Sequence, residues 1–239
     1  MLKTLSKVFA TTLIAGLIYS CGAEIKKPST DEQTYYYPVN IGREYTYTVD
    51  TMFWDYVAPA DTSDTISYQI REVYDTDYPD NVGDLVTRVI VKKNGVNWSK
   101  EATQQYYNSS KDITTAERIK NNIRYVMLRF PIAVNDTFNR NQKNNLFPEY
   151  WFVSEIGGSF SYNGTSYSPT MTIYRVDEKD SLHIKQHFEV YAHNVGLVYK
   201  EHIDVTGKTD FANWWTTPVL SRIEKGFQYT WTMTDYKEK

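Results

Sequence analysis

From Tyr35 to the C-terminus, apolar side chains fall on every second position in one segment after another. Residues 43–53 (REYTYTVDTMF) place Tyr45, Tyr47 and Val49 on one face, and residues 65–74 (TISYQIREVY) repeat the alternation. Successive side chains of an extended strand point to opposite faces, so a period of two marks a half-buried strand. Residues 84–93 (DLVTRVIVKK) read as a further strand, and Asn94-Gly95 behind it is a strong hairpin signal. Asn163-Gly164 plays the same part between 159–162 and 165–176, and residues 177–180 (DEKD) read as a polar turn. Residues 182–191 alternate, and 227–236 (FQYTWTMTDY) alternate most regularly, with Phe227, Tyr229, Trp231 and Met233 on one side. Residues 111–122 (KDITTAERIKNN) are the one stretch with a helical option, and their apolar content is so thin that a short helix or a loop is all they predict. About ten strands on short turns predict an all-β fold: an antiparallel, strongly curved sheet forming a barrel, half-barrel or sandwich, with at most one short helix.

The pattern before Tyr35 is different. Lys3 and Lys7 precede an apolar run, residues 8–18 (VFATTLIAGLI), which is long enough for a secretory signal and too short for a spanning helix. Ser20 and then Cys21, the single cysteine of the chain, follow it. The order Ile18-Tyr19-Ser20-Cys21 resembles the lipobox of bacterial lipoproteins. That resemblance implies cleavage before Cys21 and a diacylglyceryl group on its thiol, followed by N-acylation. One acyl chain holds a protein to a membrane marginally, whereas two or more hold it stably. The competing reading is a plain secretory signal with an incidental cysteine, or a short anchor that stays on. The organisation expected is therefore a signal peptide over 1–20, lipidated Cys21 and a polar tether over 21–34, and one β-rich domain over 35–239. The tether could reach about 45 Å when extended. With Cys21 acylated no thiol is left for a disulfide, so packing alone must hold the domain.

Composition narrows the partners. With 26 basic and 29 acidic residues the formal charge is -3 and there is no basic block, which argues against nucleic acid. Aromatic residues make up 15 % of the chain and 21 of them are tyrosine, a bias toward strands.

Three landmarks together resemble a family of uncharacterised Gram-negative outer-membrane lipoproteins: Tyr36-Tyr37-Pro38-Val39-Asn40-Ile41-Gly42 with Tyr45-Thr46-Tyr47-Thr48-Val49-Asp50, Leu128-Arg129-Phe130-Pro131, and Glu189-Val190-Tyr191 with Val195-Gly196-Leu197-Val198-Tyr199-Lys200-Glu201. The resemblance runs over most of the chain after the tether. It implies an envelope location and a β-rich domain, and brings no catalytic residue with it. A weak internal echo lays 37–42 with Tyr45 on 130–135 with Phe138; it reads as one turn-then-strand solution used twice, or as two related lobes.

Candidate chemistry is sparse. His183 and His187 would share a helix face, but residues 182–191 alternate, and on a strand the two lie about 13 Å apart. His183, His187 and His193 are therefore expected on a polar strand face, with a cross-strand pairing of His202 as the remaining route to a metal site. No metal and no cofactor is expected. The chain has no Gly-x-Ser-x-Gly, no His-Glu-x-x-His and no Gly-rich phosphate loop. Carboxylates such as Asp50, Asp55, Asp61, Asp64, Glu149 and Glu155 are expected to be solvated; two of them across a cleft would be needed for a glycosidase. Trp231 reads as core. Trp214-Trp215 lies in an aperiodic stretch, so the pair could stack on a sugar ring, meet lipid, or plug one end of the sheet. Asn97, Asn108 and Asn163 match a glycosylation sequon without a reader in a bacterial lipoprotein.

The sequence thus points to a non-enzymatic, lipid-anchored envelope protein acting by binding or assembly. Two alternatives are a carrier of a lipid or apolar ligand in a curved-sheet cavity, and a carbohydrate-binding module using Trp214 and Trp215. The expected partner is the outer membrane, through the lipid on Cys21. The periplasmic face is favoured, because Gly22-Ala23-Glu24-Ile25 lack the acidic cluster that resembles a surface-export signal.

Overall fold

A computed structural model describes residues 34–54, 63–80, 83, 85–93, 99–107 and 114–238, with backbone alone at 63–64, 99–107 and 176. Cys21, the tether, Asn94-Gly95, Asn97, Trp98 and Asn108 lie outside the described residues or their side chains do.

The β-rich, aromatic segments pair as the alternation predicts. The first half of the chain supplies β1 (Glu44–Trp54), β2 (Ser63–Pro79), β3 (Leu85–Lys93), β4 (Ser99–Tyr107), β5 (Thr115–Lys120) and β6 (Ile123–Arg129). The second half supplies β7 (Thr137–Asn139), β8 (Tyr150–Tyr162), β9 (Thr165–Lys179), β10 (His183–Ala192), β11 (Gly196–Gly207) and β12 (Ile223–Lys237). These strands form one sheet in the order β6-β5-β4-β3-β2-β1-β12-β11-β10-β9-β8-β7. Every pairing is antiparallel.

That order is a meander that comes back on itself. Each strand neighbours its predecessor, β12 returns to lie against β1, and the two edges, β6 and β7, meet. Val126 N–H donates to the Arg140 carbonyl at 2.9 Å across that seam, and Asn144 Nδ2 donates to the Arg124 carbonyl at 2.7 Å. Register shifts help the sheet to curl. They fall at Thr46/Tyr47, Tyr74/Thr76, Ala116/Glu117 and Val190/Tyr191, among others, and an extra residue in one strand bends it and adds twist.

The inward faces build two main cores. Phe138, Trp151, Met171, Ile173 and Tyr191 pack with Leu128 and Phe130. Tyr45, Tyr47 and Val49, the three residues of the first alternating segment, pack with Val89, Val190 and Met233. Among the described residues no helix is long and apolar enough to cross a membrane.

Two local expectations are corrected. Residues 115–120 are strand β5, not a helix or loop, because β4 and β6 pair on both sides of them and bury Thr115, Ala116 and Glu117. Tertiary pairing overrides a sequence with no strong preference of its own. The polar run 177–180 does not turn as a whole. β9 continues to Lys179, and the reversal comes at Asp180, whose carboxylate accepts from the Leu182 and His183 amides at 2.6 Å. Asn163-Gly164 does form the expected turn, with φ of 48° and 81°, values only such residues adopt easily. Gly42 and Asn135, matched in the internal echo, both take positive φ (88° and 70°), and each precedes the first strand of its half of the sheet.

Candidate functional site

Alternating strands run in opposite directions, so β1, β3, β5, β7, β9 and β11 all start at one end of the sheet. Tyrosines fill that end. Tyr37 packs on Tyr191 at 6.1 Å between ring centroids and Tyr45 on Tyr74 at 5.4 Å. What remains empty there is about 30 Å³. Toward the other end the interior is not filled. A cavity of about 540 Å³ lies there, lined by residues from β2, β3, β5, β6, β9, β10, β11 and β12 and by Arg140 and Glu149 of the β7–β8 connection. Lys93 and Lys120, which end β3 and β5, line it and are exposed, so the cavity opens to solvent at the end opposite the start of β1.

Its wall is a mixture of apolar and charged groups. Ile70, Val91, Met127 and Leu197 alternate with the aromatic faces of Tyr68, Tyr125, Tyr229 and Trp231. Between them six cations (Lys93, Arg118, Lys120, Arg140, Arg175 and Lys200) face three carboxylates (Glu72, Glu149 and Glu189), so the interior is cationic although the chain is not.

The deepest charges are tightly organised. Glu189, 1 % exposed, accepts two bonds from Arg140 at 3.0 and 2.7 Å and one from the Tyr191 hydroxyl at 2.7 Å. Lys200 Nζ stands 3.4 Å away. Burial pushes the Glu189 carboxyl up, but the charges of Arg140 and then Lys200 outweigh it and hold the group well below the ordinary range. Arg140 lies 3.6 Å above the Trp151 ring. Arg118 pairs with Glu72 across the cavity floor. Trp151 Nε1 donates to Glu149 at 2.8 Å.

Four buried polar atoms at this wall have no hydrogen-bond partner: Arg118 Nε, Arg140 Nε and both ring nitrogens of His187. Such atoms are rare in folded proteins and cost about 1–3 kcal/mol each when left unmade. Arg140 and His187 are each 6 % exposed. Burial, then the Lys200 charge, depress His187 to about 2, so it is a neutral imidazole with one donor and one acceptor.

Two of the histidines, His187 and His193, are not where the sequence placed them. β10 is a strand, as the alternation required, and His183 is exposed on it. His187 is buried, because its face of β10 turns into the cavity and not to solvent. His193 lies beyond β10, against Tyr35 and Tyr36. The cross-strand pairing with His202 does occur: the two rings stack 4.6 Å apart with a 2° interplanar angle. A metal must lie in the plane of each ligating ring, and parallel stacked rings have no common in-plane point, so the pair is not a two-histidine metal corner. No group of three metal-capable side chains occurs among the described residues.

Trp214 and Trp215 sit elsewhere, on a single 3-10 turn (Trp214–Thr216) in the β11–β12 connection. Their rings are edge to face at 84°, not coplanar; Trp215 is 57 % exposed, and Trp214 packs toward Arg222. Arg222 fixes this loop by donating to the carbonyls of Thr217 (3.0 Å), Lys208 (2.5 Å) and Ser181. Trp231 lines the cavity and is only partly buried. Glu72, Glu117 and Glu189 are buried carboxylates that the sequence did not single out. Glu72 carried a signal in the sequence, since it shares the parity of Tyr68, Ile70 and Tyr74 in an alternating segment; Glu117 and Glu189 carried none.

No protein-family model matches the chain, and no curated protein matches it in sequence. A solved Bacteroides fragilis structure described as a "putative exported protein with YmcC-like fold" aligns over 84 % of this chain and 98 % of its own, at 10 % identity and a TM-score of 0.37. At that level of likeness no conclusion about this chain is built on it.

Proposed function

We propose that the chain is a cell-envelope protein, anchored to the outer membrane through lipidated Cys21, that works by holding a ligand in its curved sheet and performs no reaction on it. Of the readings open at the level of sequence, this joins the anchored binding protein with the carrier of an apolar-bodied ligand. The observation that carries it is the solvent-open interior of about 540 Å³, inside the range of about 300–1,000 Å³ typical of small-molecule sites. The wall also favours binding over catalysis. Glu189 is held ionised by Arg140 and Lys200, the opposite of what a general acid needs, and Glu72 is engaged by Arg118. The envelope location rests on the lipobox-like signal ending at Cys21. The carbohydrate reading is weaker, since Trp214 and Trp215 offer one exposed ring and no flat platform. The test is native mass spectrometry of the protein extracted from its own membrane in a mild non-ionic detergent. A discrete bound mass beyond the N-terminal lipid is expected; a protein that emerges without one, and takes up none from a total membrane extract, would count against the reading.

A further inference from the structure

Resting on that reading, we infer that the ligand is a single-chain amphiphile with an anionic head: the head meets Arg118, Arg140 and His187, and the chain lies along the aromatic wall toward the mouth. The wall tells donors from acceptors. Its deepest carboxylate, Glu189, is already occupied by Arg140, Tyr191 and Lys200. Glu72 is occupied by Arg118. The unpartnered atoms are the Arg118 and Arg140 Nε donors and the two nitrogens of neutral His187. Three of these four atoms are donors and one is an acceptor, so a ligand reaching this depth is favoured if it brings mainly acceptors, and a carboxylate or phosphate oxygen is the strongest partner for a guanidinium N–H. Two of the groups meet one ring: His187 touches Trp151 edge-on at 4.7 Å between centroids, and Arg140 covers the same ring.

The rest of the cavity excludes the other anions. A free phosphate would fill a small part of about 540 Å³ and leave Tyr68, Met127, Leu197 and Trp231 facing water. A sugar acid would bring hydroxyl donors to a wall whose two most buried carboxylates, Glu72 and Glu189, are already paired. A two-chain lipid is too bulky for the space. One acyl chain with one charged head satisfies both parts of the wall.

Two sources share this chemistry, a free fatty acid and a lysophospholipid, and the probes separate them. Full-length protein, stripped of bound lipid, is titrated with palmitate, lysophosphatidate, hexadecanol and inorganic phosphate, following Trp and Tyr fluorescence. One or both amphiphilic anions should bind at least tenfold more tightly than hexadecanol, and phosphate alone should bind weakly. Palmitate ahead of lysophosphatidate identifies a carboxylate ligand, and the reverse order a phosphate. His187→Phe keeps the ring packing and removes both nitrogens; it should weaken the anions several-fold and leave hexadecanol unchanged. The His187 ring resonances should move on adding palmitate and stay in place with hexadecanol. Equal affinity for hexadecanol and the anions, an unaffected His187→Phe, or phosphate binding as tightly as palmitate would each overturn the inference. If none of these probes binds while a different mass co-purifies from the membrane, this inference falls and the binding reading stands; if nothing binds or co-purifies, both fall.

Discussion

His187 is the residue whose state is most sharply set by its surroundings. Glu189, Lys200 and His202 approach it from β10 and β11, Tyr229 from β12, and Arg140 with Trp151 from the β7–β8 side. Burial, followed by the Lys200 charge, lowers its pKa from 6.5 to about 2. Below pH 6.5 the unfolded chain therefore takes up a proton that the folded protein refuses. The stability tied to neutral His187 is complete above pH 6.5 and drains away as the pH falls toward 2. At pH 5, one and a half pH units below the free imidazole, the loss is about 2 kcal/mol. His202 is lowered too, by burial and then by Arg175, and works in the same sense. Glu189, held low, adds its own loss only below the ordinary carboxyl range. Urea unfolding at pH 7.5 and 5.0 should show wild type losing about 2 kcal/mol more than His187→Phe; equal losses would mean that the imidazole is not kept neutral.

At the scale of elements, the tightest constraint lies where three central strands meet. Gly226 of β12 pairs with Trp54 of β1 and Val205 of β11. Its φ is 127°, and a Cβ there would sit 2.1 Å from the Asp204 carbonyl oxygen and 2.7 Å from Val205 Cα. Those atoms are backbone and cannot swing aside. Gly226→Ala should therefore cost about 2 kcal/mol or more, seen as a lower urea midpoint at unchanged slope, and should loosen the β1–β12–β11 contact in hydrogen exchange. The β6–β7 seam is the opposite case. β7 has three residues, and one backbone bond from Val126 to Arg140 crosses to it. Yet Arg140, the residue at that junction, carries the bond to Glu189 across the interior, so the weakest edge of the sheet is held from inside by a buried ion pair.

For the whole molecule, the two ends of the sheet have different work. The end at which β1 starts is packed with tyrosine; the end that opens carries Lys93 and Lys120 and the β7–β8 loop, on which Phe147 is 93 % exposed. If Cys21 carries the proposed lipid, the chain that follows it leads to the closed end, and its 14 residues over 21–34 could span at most about 45 Å when extended. Cys21→Ala should move the protein from the membrane pellet to the soluble envelope fraction while leaving its urea midpoint unchanged, because Cys21 precedes the β-rich domain in the chain. Retention of Cys21→Ala in the pellet, resistant to carbonate washing, would place the anchor elsewhere.

What the sequence determined by itself was local and periodic. Period-two alternation marked β1, β3, β10 and β12, because strand side chains take opposite faces whatever lies beyond them. Asn163-Gly164 announced its turn, because positive φ is a property of the residue. The same alternation told that Leu182–Tyr191 would not wind as a helix, and so kept His183 and His187 apart. Tertiary structure alone decided which of two faces is inside and whether the inside is full. His187 and Glu189 read as solvent-facing polar positions of their strand, since a period has no sign. Only the curling of β1–β12 into a returning meander carried those positions inward and set Arg140 against Glu189, 49 residues apart in the chain. The cavity follows from the same closure: its volume is the difference between the girth of a twelve-stranded sheet and the bulk of the side chains it encloses, a quantity no single segment contains.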